Sequence, residues 1–217
     1  MDVLDQVLGP ARDLLRRVDA TLAGAGAPAD HAIWPLLRRV GSLPGDALEF
    51  AAGVDVDALV SAADDVRRHA ERYVELGEDI EVGEWTGPAA SMFAVHWGRL
   101  QDHLAGPDGL AERLAATARH FDQLAIWGTA LRREVALAVA SALTSMEALT
   151  LHRAAVQRDG TDAALAAAVI GRVLLEPVAA ALPEVEALLD APAPDELPYR
   201  PPSAGAPGSA TETRVPL

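Results

Sequence analysis

Apolar residues recur in the first part of the chain at the three- and four-residue steps of amphipathic helices. A first helix is predicted over residues 4–22, before a stretch rich in glycine and proline at 24–28. Its apolar stripe consists of Leu4, Val7, Leu8, Ala11, Leu14, Leu15, Val18 and Leu22. A short second helix with Asp30 as its cap is predicted to carry Ile33, Trp34, Leu36, Leu37 and Val40, and the breaker-rich sequence 41–45 is expected to form a hinge after it.

A heptad pattern marks the next helix, which is predicted to begin after Asp55 as its N-cap. Its apolar positions advance by alternating steps of three and four residues, which is typical of a helix packed lengthwise on another helix. These positions are Val56, Leu59, Ala63, Val66, Ala70 and Tyr73. We therefore expect a coiled-coil-like arm here.

An acidic stretch flanked by glycines follows that arm and leads into Trp85-Thr86-Gly87-Pro88. Proline directly after glycine predicts the start of a new helix, because the first helical position tolerates proline best. The apolar face of this helix is predicted from Ala89, Met92, Phe93, Trp97, Leu100 and Leu104.

Seven-residue steps then predict one long helix over residues 110–157, beyond a break at 106–109. One apolar row contains Leu114, Phe121, Gly128, Val135, Ala142, Leu149 and Val156. Such a helix would be about 70 Å long, so we expect an elongated antiparallel bundle around it. A further helix from about Asp162 is expected to kink or end at Pro177 and Pro183, with a last short piece over 184–189.

The end of the chain differs in composition, because residues 191–217 are rich in proline and have little apolar surface to pack. We predict a disordered tail there. The sequence thus predicts four parts: an N-terminal helical segment (1–45), a helical hairpin or bundle (55–157), a C-terminal helical segment (158–190) and the tail (191–217).

Composition supports an all-α fold, because the chain is rich in alanine and all 18 of its basic residues are arginine. The net charge of −14 disfavours nucleic-acid binding. The absence of cysteine excludes disulfides and thiol nucleophiles. Acidic residues at the start predict no classical signal peptide, and charges or prolines in the apolar stretches 135–151 and 163–181 predict no membrane span.

Histidines are the first candidates for catalysis or metal binding, but they match no metal or catalytic motif. They are His31, His69, His96, His103, His120 and His152. We therefore predict no enzyme, no metal and no cofactor. A helical enzyme or small-ligand-binding protein that uses these histidines and buried acids is kept as a third hypothesis.

The order of helix, Trp85-x-Gly87 turn and helix, followed by Ala89, Ala90 and Phe93, resembles the WXG family of type VII (ESX) secretion substrates and their larger PPE-like and WXG-like relatives in actinobacteria. The resemblance covers about residues 55–157. It implies a hairpin that pairs with a second helical hairpin in a four-helix bundle. Trp85 and Gly87 match the family's turn, and Phe93 matches the aromatic residue after it.

The family's export signal, a tyrosine followed at the fourth position by an acidic residue, is absent from the chain. Gly77 stands at that position after Tyr73, and Ser203 stands there after Tyr199. The resemblance therefore implies that a partner supplies the signal for export.

The resemblance implies a non-enzymatic secretion substrate, substrate partner or targeting module, with Trp85, Gly87 and Phe93 at the tip of the bundle. The implied partner is a small WXG-like helical hairpin or a second copy, bound through the heptad faces; a secretion ATPase or chaperone is a further candidate. The implied location is the cytoplasm, with export by a type VII system. The alternative is a cytoplasmic helical adaptor or structural protein in which the Trp-x-Gly pattern is coincidental.

Overall fold

The structure is a computed structural model that describes residues 2–78, 85–157 and 160–191. All regular secondary structure within these ranges is α-helical, which confirms the all-α class. The helices of these ranges are α1 (Val3–Ala25), α2 (Ile33–Val40), α3 (Pro44–Gly53), α4 (Val56–Glu78), α5 (Pro88–Ala105), α6 (Leu110–Leu143), α7 (Met146–Gln157) and α8 (Gly160–Leu189). The predicted disordered tail beyond residue 191 lies outside the described residues.

The chain divides into two compact units whose boundaries differ from the predicted segments. Unit 1 combines Met1–Ala58 with Gln123–Ala191, and the described part of unit 2 lies within Leu59–Asp122. Helices α4 and α6 each contribute residues to both units. The N-terminal and C-terminal helical segments therefore belong to one unit, although they are far apart in the sequence.

Helix α8 is the central element of unit 1, because α1, α2, α3 and α7 all contact it. Its apolar sequence suits that position: Ile170, Leu174 and Leu175 are at most 2% exposed. Gly171 lies where a β-carbon would be 2.6 Å from Ile33 Cδ1 and 3.3 Å from Pro44 Cγ. Glycine at this position thus allows α2 and α3 to approach α8 closely.

Residues 162–189 of α8 are also long and apolar enough to cross a membrane, with a mean hydropathy of 1.8. Within the described residues, the stretches 88–143 and 146–154 also pass this test when they are counted together as one span. They are separated by a bend at Thr144–Ser145. Packing against α1, α2, α3 and α7 accounts for part of this hydropathy, since 44% of the apolar window of α8 is buried.

Helix α1 confirms the predicted apolar stripe. Its buried residues are Leu4, Ala11, Leu15, Val18 and Leu22, all of which belong to that stripe. The helix begins with a capping box in which the Asp2 carboxylate accepts from the amide of Asp5 and the Asp5 carboxylate accepts from the amide of Asp2, each at 3.1 Å.

Helix α3 corrects the expectation of a hinge at residues 41–45. Pro44 occupies its first turn, where the missing N–H of proline removes no helical hydrogen bond. Ala47, Leu48 and Ala51 are at most 2% exposed, and the helix contacts α1 and α8. The proline and glycine that predicted a hinge therefore mark the start of a core helix.

The predicted continuous helix over 110–157 is wrong, because α6 ends at Leu143 and α7 begins at Met146. The stretches 88–143 and 146–154 on either side of this break are bent by 59° relative to each other. Ser145 forms the break: its hydroxyl donates to the Ala142 carbonyl at 2.8 Å and accepts from the Ala148 amide at 3.1 Å. This side chain replaces backbone hydrogen bonds and caps α7.

Helix α8 continues through Pro177 and Pro183, so neither residue ends it, and the predicted short piece 184–189 is its last part. A proline within a helix costs about 3 kcal/mol. Tertiary contacts offset this cost here, since Val178 is 3% exposed and the indole of Trp127 donates to the Ala181 carbonyl at 3.0 Å.

Asp19 links α1 to the start of α3, because its two carboxylate oxygens accept from the Gly45 amide, each at 3.1 Å. Burial raises the pKa of Asp19 above its ordinary value, and the charges of Asp46 and Glu49 add to the rise. The native carboxyl thus binds a proton more readily than the unfolded one does. Stability from this group is therefore lost as the pH rises through the raised pKa.

We expect Asp19→Asn to increase the free energy of unfolding at pH 7, because the amide oxygen still accepts from Gly45 but carries no charge beside Asp46 and Glu49. Relief between partly exposed charges is worth less than about 1 kcal/mol. Urea unfolding followed by circular dichroism measures it, with the exposed Asp190→Asn as control. The gain in free energy of unfolding should become smaller towards about pH 4. An equal gain at both pH values would contradict the raised pKa of Asp19.

Helix α4 presents the predicted heptad seam, and the seam positions from Leu59 onward lie in unit 2. The six seam positions are buried or half-buried, whereas most other described residues of α4 are exposed. Asp55 is the predicted cap and accepts from the Ala58 amide at 2.9 Å. Arg67 of α4 donates to Asp122 of α6 at 2.8 Å, so a polar contact joins these two helices.

The apolar residues that unit 2 buries are small. In its described part, the buried apolar residues are Ala63, Ala70, Ala90, Ala111 and Ala118. Alanine allows close helix approach but removes little apolar surface from water. In the same described part of unit 2, the larger apolar side chains are half-buried or exposed.

Candidate functional site

The Trp85–Gly87 turn lies directly before α5, and residues 79–84 between it and α4 are outside the described residues. Gly87 is the N-cap of α5 with φ at 109°, a backbone conformation that side chains with a β-carbon rarely adopt. Pro88 follows in the first turn, as predicted. The Gly87 carbonyl accepts from the Ser91 amide at 3.1 Å and from its hydroxyl at 3.3 Å.

The structure brings two of the predicted site residues, Trp85 and Phe93, into contact. Their ring centroids are 5.6 Å apart and their planes are inclined by 50°. Trp85 is 36% exposed and Phe93 is 37% exposed, so the pair is accessible to solvent. Gly87 lies between them in the sequence and starts the helix that carries Phe93.

Helix α5 buries less of its predicted face than expected. Trp97, Leu100 and Leu104 are half-buried, but Ala89 and Met92 are exposed, and the buried residue near the start of the helix is Ala90. None of the described residues forms a hydrogen bond with the buried indole N–H of Trp97. The first half of α5 thus has an apolar surface that neighbouring described residues leave uncovered.

Arg132 of α6, which was not predicted from the sequence as a site residue, donates hydrogen bonds to five described residues of unit 1. This side chain is 10% exposed. Its Nη1 donates to the carbonyls of Ala51, Ala52 and Val54 at 3.3, 2.5 and 3.2 Å. These carbonyls lie at the end of α3, where helix geometry leaves carbonyl oxygens without partners and concentrates partial negative charge.

The other edge of the Arg132 guanidinium faces two carboxylates. Nε donates to Asp2, and Nη2 donates to Asp5 at 2.9 Å. Each carboxylate uses one oxygen for the capping box of α1 and the other for Arg132. The Arg132 guanidinium lowers the pKa of the Asp2 carboxyl below its ordinary value through this hydrogen bond. One arginine therefore joins the start of α1, the end of α3 and the middle of α6.

A cleft of about 630 Å³ opens at this arginine. Its lining includes Asp2, Asp5 and Arg132, together with Asp55 and Asp57 from the start of α4.

A signal for the site existed in the sequence, because Arg132 falls four residues after Gly128 and three before Val135, inside the apolar row of the predicted helix. An arginine within such a row requires buried acceptors.

The histidines do not form a chemical site in the described part of the chain. His31 Nδ1 accepts from the Ile33 amide at 3.2 Å, His69 Nδ1 lies 2.6 Å from the Asp65 carbonyl oxygen, and His152 Nδ1 lies 3.1 Å from Arg17 Nη1. Among the described residues, no group of three or more histidine or acidic side chains is arranged to hold a metal ion.

No protein-family model, curated protein or solved structure matches the chain.

Proposed function

We propose that this chain is a non-enzymatic, helix-binding protein of a type VII secretion system, which acts as a secreted substrate, a substrate partner or a targeting module. The accessible contact between Trp85 and Phe93 at the start of α5 carries the proposal. It supplies an aromatic surface at the Trp-x-Gly turn, where the resemblance to the WXG family implies one. Large aromatic side chains are the residues that most often dominate binding energy at protein interfaces.

The composition of unit 2 supports a helical partner. Its described buried apolar residues are all alanines, and Met92 and Val95 of α5 are 46% and 51% exposed. A second helical hairpin, from a small WXG-like protein or from another copy, would cover this surface and the half-buried positions of the α4 seam. The secretion ATPase or a chaperone is the other proposed partner, and the cytoplasm is the proposed location before export.

Location in the native host tests the secretion proposal. The protein is measured in cell lysate and culture filtrate of strains with and without the type VII secretion ATPase, with a cytosolic marker to detect lysis. We expect it in the filtrate only when the ATPase is present. Retention in both strains would overturn the proposal and favour a cytoplasmic helical adaptor.

We expect Trp85→Ala to abolish ATPase-dependent appearance in the filtrate while circular dichroism of the purified protein stays nearly unchanged. An aromatic pair is worth about 0.5–1.5 kcal/mol beyond its buried area, so the loss of stability should be small. Phe50→Ala is the matched control, because Phe50 is 59% exposed in unit 1. Loss of helicity in Trp85→Ala, or normal export of it, would contradict a binding role for this residue.

A further inference from the structure

The side of α6 that faces away from the core of unit 1 carries a second seam, over residues 123–144. Its positions advance by alternating steps of three and four residues, as in a helix that packs lengthwise on another helix. They are Gln123, Ile126, Ala130, Arg133, Leu137, Ala140 and Thr144, and each of them is exposed. This outer seam lies opposite Leu131, Val135 and Val139, which are at most 3% exposed. Helix α6 therefore has a buried apolar face and an exposed seam.

The outer seam exposes two large aliphatic side chains. Ile126 is 69% exposed and Leu137 is 59% exposed. They lie about three helical turns apart, with the small residue Ala130 between them. Removing such apolar surface from water is favourable, and a small residue between large ones lets a second helix approach closely. The outer seam is therefore suited to packing against another helix.

The sequence of this face is complementary to itself in the antiparallel direction. Its midpoint lies between Arg133 and Glu134, and the exposed positions are placed symmetrically around this midpoint. Ala130 and Leu137 are three residues away on either side, Ile126 and Ser141 are seven away, and Gln123 and Thr144 are ten away. In a two-fold interface, each position of one copy meets its counterpart on the other copy. Large residues would thus meet small or polar ones along the whole seam.

The charges at the midpoint set the direction of this pairing. Arg133 donates to Glu134 at 2.8 Å, and their side chains are 72% and 49% exposed. An ion pair this exposed contributes little by itself. In an antiparallel pair of α6 helices, each Arg133 lies opposite Glu134 of the other copy, and the four charges alternate in sign. A parallel pair in register would place Arg133 opposite Arg133, which repulsion between like charges disfavours.

We propose that the outer seam of α6 binds a second copy of this chain in an antiparallel homodimer, with the two-fold axis between Arg133 and Glu134. Leu137 of each copy packs beside Ala130 of the other. The charge complementarity at the midpoint is the reason for assigning a second copy to this surface. The inference does not rest on the proposed function, because the outer seam belongs to unit 1 whereas Trp85 and Phe93 belong to unit 2.

Sedimentation equilibrium of the full-length chain tests the dimer. A single pair of helices forms a small interface, so we expect a monomer of 22.7 kDa at about 1 µM and twice that mass at about 100 µM. Leu137→Glu should stay monomeric at the higher concentration, because it places a charge within the seam. Leu165→Glu is the matched control: Leu165 is 49% exposed on α8, and this variant should dimerise like the wild type.

A charge exchange tests whether the partner is a second copy in this orientation. Arg133→Glu makes the midpoint entirely acidic, and Glu134→Arg makes it entirely basic. Each variant alone should be monomeric at about 100 µM, the concentration at which the wild type dimerises. An equimolar mixture should recover the dimer, because the acidic midpoint of one variant then faces the basic midpoint of the other. Both residues are exposed, so circular dichroism should show the helicity of the wild type.

Three results would overturn the proposal: a monomeric wild type at the higher concentration, a dimer of Leu137→Glu, or a mixture of the two charge variants that stays monomeric. Trp85→Ala should dimerise like the wild type, because Trp85 is not part of the outer seam. A monomeric Trp85→Ala would place the contact between copies on unit 2 and would also overturn it.

Discussion

Arg132→Met is expected to lower the free energy of unfolding of unit 1 by about 3 kcal/mol, at the lower end of the range for breaking a buried ion pair. The loss comes from the carbonyls at the end of α3, which lose their donor, and from Asp2 and Asp5, which lose their cation. The two carboxylates are partly exposed and regain water, which limits the cost. Urea unfolding of the full chain followed by circular dichroism measures the change.

The pH dependence of that change is a second check. Because Arg132 lowers the pKa of Asp2, this carboxyl contributes stability above its unfolded pKa and loses it as the pH falls through the native pKa. The difference between wild type and Arg132→Met should therefore shrink between about pH 5 and pH 2. Arg133→Met is the matched control, since Arg133 is exposed and adjacent. An equal loss in both variants would contradict the role of Arg132.

Leu174→Ala is expected to cost about 2–5 kcal/mol, because it removes a completely buried side chain from the centre of unit 1 and leaves a cavity. Four helices surround α8, so the cavity cannot close by a shift of a single neighbour. Leu165→Ala on the same helix is the control, since Leu165 is 49% exposed and its truncation should change stability by less than about 0.5 kcal/mol. Similar losses in the two variants would show that α8 is not the core.

Hydrophobic periodicity predicted those helices whose apolar face lies against the core. The stripe of α1 and the seam of α4 are buried or half-buried where they were expected. Periodicity could not locate the break between α6 and α7, because the apolar row continues through it and a serine side chain creates it. Periodicity also could not show whether Pro44 begins a helix or breaks one. The burial of α3 against other helices decides this.

The candidate site was predictable in part. The motif identified Trp85, Gly87 and Phe93, and the structure adds the contact between the two rings and the positive φ of Gly87. Arg132 was missed because its partners come from three places in the sequence that only the fold brings together. Spacing alone does not show that residues 2, 5, 51, 52 and 54 surround one side chain.

The discontinuity of unit 1 has a consequence for biosynthesis. Helix α3 ends at Gly53, but its partner α8 is complete only at Leu189. At about 5–20 residues per second, a ribosome needs on the order of ten seconds to synthesise the intervening chain. During that time the apolar faces of α1, α2 and α3 have no α8 to cover them, whereas residues 59–122 of unit 2 have already been made. The nascent chain therefore offers chaperones an N-terminal part without its α8 contacts until α8 leaves the ribosome.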